Sequence, residues 1–415
     1  MVQSLMAPAN LPRVILHRRK IDAVKRFHPW IFSGAIRNIE IPPHSTEPQE
    51  GDLVLVTTDG GEILATGFWG TGSIAVKVLA FGPIANIGEC IAEKIAQAFA
   101  ARQTLGLTAQ MEGAPITNCY RLVNSEGDGL PGLIIDWYNG TAVLQSHGMG
   151  LYQHREAIVA GLQRVYGEQL QAVYDKSAAT MGRKSSQKLG FGDSYLFGKP
   201  EQHIVTEYGR KFAIDWEVGQ KTGFFVDQRE HRQLFAQYAR DKKVLNTFCY
   251  SGGFSVYALT AGAALVHSVD SSAKAIEWTN QNVALNMSDS LGGVHESYVS
   301  DVFNFFKNTD TEYNAIVLDP PAFAKNLTAR HQAVQAYKRL NLAALGQIAA
   351  GGVIFTFSCS QVVTPEHFTG AVTAAAIESG RNIRILHHLT QPPDHPTSIY
   401  HPEGLYLKGL VLLVE

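Results

Sequence analysis

The sequence predicts an α/β protein. A doubly wound, seven-stranded sheet whose last strand runs antiparallel fills the C-terminal half, behind a β-rich N-terminal module and an α+β connector. Three observations predict it. Beyond residue 201, strand-like and helix-like runs alternate; a Gly-Gly turn follows the first of those strands; and the two final strands are separated by a Pro- and His-rich stretch without helical period. At 415 residues the chain exceeds the size at which one core stops growing, so it divides into segments at 1–82, 83–200 and 201–415.

The first segment carries alternating apolar runs at 52–57 and 74–79 between Gly-rich turns, the pattern of a small β module. Its opening holds a basic cluster, His17-Arg18-Arg19-Lys20 and Lys25-Arg26, beside Phe27-His28-Pro29-Trp30. Such residues suit phosphate contacts and base stacking, or alternatively a solvated loop with a core tryptophan. The second segment predicts a helix over 88–105, a turn-rich link over 121–132, strands at 133–137 and from 143, and a helix over 152–166. Arg183, Lys184 and Lys188 add positive charge.

In the third segment strands are expected at 243–248, 265–270, 295–301, 314–319, 353–358, 383–389 and 405–414, with helices at 253–261, 273–286, 302–306, 329–350 and 365–379. The uncharged run 341–359 is long, but Gly351-Gly352 divides it into an alanine-rich helix and a β-branched strand. A buried helix–strand pair explains it better than a membrane span. Residues 1–20 lack the apolar core of a secretory signal.

The composition, 45% hydrophobic and 17% charged, is that of a folded globular chain. Lys plus Arg (35) nearly balances Asp plus Glu (37), so a nucleic-acid partner must be met by a local basic patch. Cys90, Cys119, Cys249 and Cys359 are scattered without a C-x-x-C pair, which argues against a disulfide framework and a zinc site and fits a reducing, cytoplasmic compartment.

In open α/β sheets ligands bind beyond the carboxyl ends of the strands, so the residues there carry the functional expectation. After the first strand comes Asn246-Thr-Phe248-Cys-Tyr250-Ser-Gly252-Gly-Phe254, whose paired glycines permit a tight turn and close approach to a ligand. This is not the dinucleotide fingerprint, because its second and third glycines are missing. Asp270 ends the second strand, where a carboxylate accepts ribose hydroxyls, and Asp301 ends the third, as an acceptor for an adenine amino group. Helix N-caps are the plainer alternative for both.

The fourth strand ends in Asp319-Pro-Pro-Ala-Phe-Ala-Lys325, where two prolines hold the aspartate over a site suited to a flat base. The fifth delivers Ser358-Cys359-Ser360 beside it, placing a nucleophile next to a polar partner. Upstream, the polar run 219–232 contains Arg229, which suits bidentate pairing with a ligand carboxylate, or else an intrahelical ion pair.

With these residues laid out, the chain resembles a bacterial family of large-subunit ribosomal RNA cytosine-5 methyltransferases built from a PUA domain, a connector and a Rossmann-like class I methyltransferase domain. The likeness spans nearly the whole chain, through the stretches at 28–34, 126–132, 219–232, 246–254, 319–325, 358–360 and 402–408. It implies S-adenosylmethionine at Tyr250, Gly252, Phe254, Asp270 and Asp301, with Asn246, Phe248 and Arg229 alongside. It also implies large-subunit ribosomal RNA gathered by the N-terminal domain, no membrane partner, and room for a homodimer.

Cys359 is implied as the nucleophile that adds to cytosine C6, and Asp319 as the group holding the N3/N4 edge. Lys325 is a candidate for stabilising the thiolate. Many other RNA cytosine-5 methyltransferases carry a second cysteine directly after the Pro-Pro; here Ala322 stands there, so the base that removes the C5 proton is unassigned. Two competing functions are methylation of a guanine nitrogen or exocyclic amine, which needs no thiol, and an inactive RNA-binding assembly factor, which need not bind the cofactor.

Overall fold

The computed structural model describes residues 10–43, 45–108, 116–181, 192–200, 203–287 and 293–415. The expected basic residues Arg183, Lys184 and Lys188 lie outside that set. The N-terminal segment forms a six-stranded sheet in the order Trp30–Phe32, Ile74–Ala80, Ile63–Trp69, Leu53–Thr57, Arg13–Leu16, Ile36–Glu40. Its core is β-branched and aliphatic, with Val14, Val54, Val56 and Val76 fully buried, as strands packed on both faces require.

The connector is a five-stranded sheet in the order Ser194–Gly198, Ala172–Asp175, Thr141–Ser146, Leu133–Tyr138, Cys119–Asn124. Helices Ile87–Thr104 and Arg155–Tyr166 pack together beside it. Asn86 caps the first by accepting from the Glu89 N–H at 3.1 Å. Trp137 and Tyr166 stack at 3.7 Å between sheet and helix. The strand Cys119–Asn124 runs into the expected link 121–132, so part of that link is edge strand.

The C-terminal sheet contains β1 (Lys243–Thr247), β2 (Leu265–Asp270), β3 (Val294–Val299), β4 (Tyr313–Leu318), β5 (Ile348–Ser358), β6 (Ile383–Thr390) and β7 (Lys408–Val414). Their order is β3-β2-β1-β4-β5-β7-β6, with β1 to β5 parallel and β7 antiparallel to both its neighbours. The chain reverses direction across the sheet between β1 and β4, which places the switch point at their carboxyl ends. Helices α1 (Arg229–Ala236), α2 (Gly253–Thr260), α3 (Ala273–Asn286), α4 (Val302–Asn308), α5 (Arg330–Leu345) and α6 (Pro365–Ser379) accompany these strands.

Two sequence expectations shift. The helix expected to reach residue 350 ends at Leu345, and β5 begins at Ile348. Gly351 adopts φ +77° inside the strand, where the β4–β5 register slips, so the glycine pair marks a bulge rather than the helix–strand junction. A hairpin of Ile204–Glu207 and Arg210–Ala213 precedes the sheet and was not expected. It carries buried Glu207 to Arg232, 2.7 Å away.

Candidate active site

The carboxyl ends of the parallel strands β1, β2, β4 and β5 lie along one edge of the sheet. Beyond β1 the backbone turns left-handed at Phe248, Tyr250 and Gly252. A Cβ at Gly252 would meet Thr279 Cγ2 at 2.8 Å, and one at Gly253 would meet Arg232 Cδ at 2.9 Å. The two glycines therefore make room for α3 and α1. The turn was foreseen, and the glycines also admit a close approach of protein.

The Tyr250 hydroxyl accepts from the Gln220 N–H at 2.9 Å and donates to the Gly223 carbonyl at 3.1 Å, while its ring meets Phe225 and Trp278 edge-on. It thereby fastens the run 219–225 over the turn after β1. Asp270 accepts from the Tyr250 N–H through Oδ2 (3.1 Å) and from the Ser272 N–H through Oδ1 (2.9 Å). An ionised carboxylate has about four acceptor sites, so two remain for vicinal hydroxyls. Asp301 is exposed and caps α4, accepting from the Asn304 N–H at 3.0 Å. The cap alternative is thus realised there, with acceptor capacity to spare.

Three expected ligand contacts are engaged elsewhere. Asn246 is 1% exposed and donates to Ser255 Oγ, which joins Ser268 and His295 in a buried polar chain. Phe254 is core, packed between Phe235 and Phe357. Arg229 is also 1% exposed, and its guanidinium grips Asp394 at 2.9 and 3.1 Å, with the Cys119 carbonyl at 3.5 Å. That ion pair takes the bidentate geometry expected for a ligand carboxylate, so the expectation for Arg229 is corrected.

Asp394 lies on the loop between β6 and β7. Besides Arg229, its carboxylate accepts from the Arg121 N–H at 3.0 Å, and its carbonyl accepts from Arg102 at 2.6 Å. One aspartate thus joins the connector to the C-terminal sheet. Trp30 is half-buried and serves a similar end, donating to Glu126 at 2.8 Å while its ring lies 4.3 Å from His401. The nearby Arg18, Arg19, Lys20, Lys25 and Arg26 are exposed. Phe27, 47% exposed, contacts Phe81 and Tyr400.

Cys359 and Asp319 do come together. Ser358 donates to Tyr337 at 2.9 Å and Ser360 to the Ala324 carbonyl at 2.7 Å. The serines flanking Cys359 therefore lock the end of β5 to α5 through Tyr337 and to the segment after β4 through Ala324. Burial pushes the Cys359 thiol up to about 11, with the charges of Asp319 and Asp227 adding and Lys221 opposing. Lys325 is exposed and has no part in this. Asp319 is half-buried; desolvation, then the neighbouring Asp227, raises its carboxyl to about 7, against a hydrogen bond from Gln228 at 3.0 Å.

Sequence reasoning missed Asp227, Gln228, Lys221 and Lys408. The first three lie in the polar run already singled out, and Lys408 closes the stretch 402–408. Lys408 Nζ donates to the carbonyls of Ser360 and Val363, and its burial lowers it to about 8. All four cysteines are free thiols, and no described helix is long and apolar enough to cross a membrane.

A family model described as S-adenosylmethionine-dependent methyltransferase matches residues 128–410, and a PUA-like domain model matches 14–81. "Ribosomal RNA large subunit methyltransferase I" of Tolumonas auensis is 37% identical over 96% of this chain and 98% of its own. The protein of that name from Escherichia coli is 35% identical over 97% and 99%. A solved structure described as a SAM-dependent methyltransferase from Streptococcus mutans superposes with TM-score 0.78 at 22% identity, over 97% of this chain and all of its own. A methyltransferase crystallised with S-adenosylhomocysteine matches equally well, which bears on the fold. The donor set at the switch point, a two-acceptor aspartate beside a left-handed turn, fits the nucleoside half of that ligand class. With a PUA-like sheet in front and S-adenosylmethionine as its methyl donor, the chain belongs to the ribosomal RNA large subunit methyltransferase I family.

Proposed function

We propose that the protein methylates C5 of a cytosine in large-subunit ribosomal RNA, with Cys359 as the covalent nucleophile. The observation that supports this reading most is the side-by-side placement of a half-buried thiol and a protonatable aspartate at the ends of β5 and β4. The names of the relatives support the substrate class. The exposed basic and aromatic residues around Phe27 offer a face for the RNA.

Asp270, Asp301 and the turn 248–252 would hold S-adenosylmethionine, which supplies an electrophilic methyl group when bound. The chain's own task is to make C5 nucleophilic. A thiol near 11 leaves roughly one part in 10⁴ as thiolate at pH 7, a deficit of about 5 kcal/mol. Asp319, near 7, is matched to relieve it. Its carboxylate takes the thiol proton as sulfur bonds to C6, and the same carboxyl protonates N3. The proton moves from sulfur to N3, and the electron pair of the 5,6 double bond is driven onto C5.

Proton transfer also quiets the Asp319 charge that opposes the thiolate. Cys359→Ser should abolish methylation of ribosomal RNA while S-adenosylmethionine binding, measured by calorimetry, stays within threefold of wild type. Undiminished turnover would instead indicate methylation of a nitrogen, which needs no thiol.

A further inference from the structure

Resting on the cytosine-5 reading, we infer that Asp227 is the catalytic base that removes the C5 proton and so frees Cys359 from the methylated RNA. Asp227 sits on the short 3-10 turn Val226–Gln228, whose next residue, Gln228, reaches Asp319. Its Oδ2 accepts from the Tyr406 hydroxyl at 2.7 Å. Its Oδ1 is a buried oxygen without a hydrogen-bond partner among the described residues. Buried carboxylate oxygens are rarely left so, and one aimed into a reaction site is an acceptor in waiting.

Its position follows from its neighbours: the adjoining Gln228 donates to Asp319 at 3.0 Å, and the charge of Asp227 bears on both Asp319 and Cys359. The stereochemistry suits it. With sulfur on one face of the ring, a methyl group delivered to the other face leaves the C5 hydrogen on the sulfur's side, so the base must act from beside the thiol. Oδ1 takes that proton; the C5–H electron pair becomes the 5,6 double bond; the C6–S bond breaks with its pair on sulfur; and N3 returns its proton to Asp319. The proton on Asp227 then leaves to solvent, so the balance is one proton released per methyl group transferred. This fills the place left by Ala322, where many related enzymes carry a second cysteine.

The test uses full-length protein, protein-free large-subunit ribosomal RNA from cells lacking this protein, and S-adenosylmethionine labelled in its methyl group. Asp227→Asn keeps the acceptor for Tyr406 but removes the base. It should accumulate a methyl-labelled protein–RNA complex, resolved on a denaturing gel, at least tenfold above wild type, while multiple turnover falls at least 100-fold. Tyr406→Phe, which only loosens the carboxylate, should accumulate the same complex to a smaller extent. Asp227→Asn protein that binds S-adenosylmethionine normally yet forms no complex, or turns over freely, overturns the assignment. Wild-type methylation that persists without Cys359 overturns the reading beneath it, a distinguishable result.

Discussion

Replacing Asp394 by alanine tests how the catalytic sheet is joined to the connector. Asp394 is fully buried, and its two oxygens take Arg229 at 2.9 and 3.1 Å and the Arg121 N–H at 3.0 Å. Removing the carboxylate leaves the guanidinium of Arg229 buried without its bidentate partner, beside the half-exposed Glu230, the Tyr208 hydroxyl and one carbonyl at 3.5 Å. Breaking one side of such a pair costs about 3–5 kcal/mol, and the orphaned backbone N–H adds about 1 kcal/mol. At ~2–4 °C per kcal/mol for a unit of this size, the midpoint of thermal unfolding should fall by on the order of 10 °C.

The double variant Arg229→Met with Asp394→Ala removes the stranded charge, so its loss should be smaller than the sum of the single losses by ~2 kcal/mol or more. Arg229 holds the Asp394 carboxyl far below the ordinary carboxylate range, so this stability is fully present above the unfolded value and is lost only in acid. The deficit in Asp394→Ala should therefore be equal at pH 6 and pH 8 in scanning calorimetry. A fall under about 3 °C, roughly a third of the expected effect, or strictly additive single losses, would refute the reasoning.

Asp319→Asn should relieve a burden that grows with pH. The folded carboxyl near 7 holds its proton more tightly than the unfolded one, so its cost is absent below about pH 4 and complete above about pH 7. The ceiling is ~4 kcal/mol, and the partial exposure of Asp319 reduces it. The variant's stability gain at pH 8.5 should exceed that at pH 5 by ~1–2 kcal/mol in denaturant titrations, while methylation is lost. A pH-independent gain would contradict the assignment. Asp270→Ala should weaken S-adenosylmethionine binding ~10–100-fold by calorimetry, the worth of a charge-assisted acceptor at about 1.5–3 kcal/mol; a change under threefold would count against that role.

The order of the C-terminal elements was legible because each parallel strand reads as a short apolar run ending in a polar residue, and those ends are where a doubly wound sheet gathers its chemistry. That rule alone singled out Asp270, Asp319 and Cys359, and the structure sets all three at the carboxyl edge of the sheet. Arg229 shows its limit: sequence reveals a guanidinium fit for a carboxylate, but the carboxylate it meets is 165 residues away. Asn246 and Phe254 flank the turn after β1, yet their side chains point into helix and core contacts that only packing decides. The glycine pair was placed correctly, but the crowding of Thr279 and Arg232 against it comes from packing that sequence does not reveal. Asp227 stood in plain view within a polar run, and only its partners in the fold single it out: the bond from Tyr406, distant in sequence, the unpartnered Oδ1 and the adjoining Gln228 on Asp319.

The most direct measurement of the central claim is covalent trapping. Ribosomal RNA containing 5-fluorocytidine has no C5 proton to surrender, so the thioether cannot be broken once the methyl group has been transferred. Incubated with the full-length protein and S-adenosylmethionine, it should yield a denaturation-resistant protein–RNA complex, with the modified cytidine attached by mass spectrometry to the peptide containing Cys359. A complex mapped to another residue, or none from protein that methylates ordinary RNA at full rate, would contradict the account.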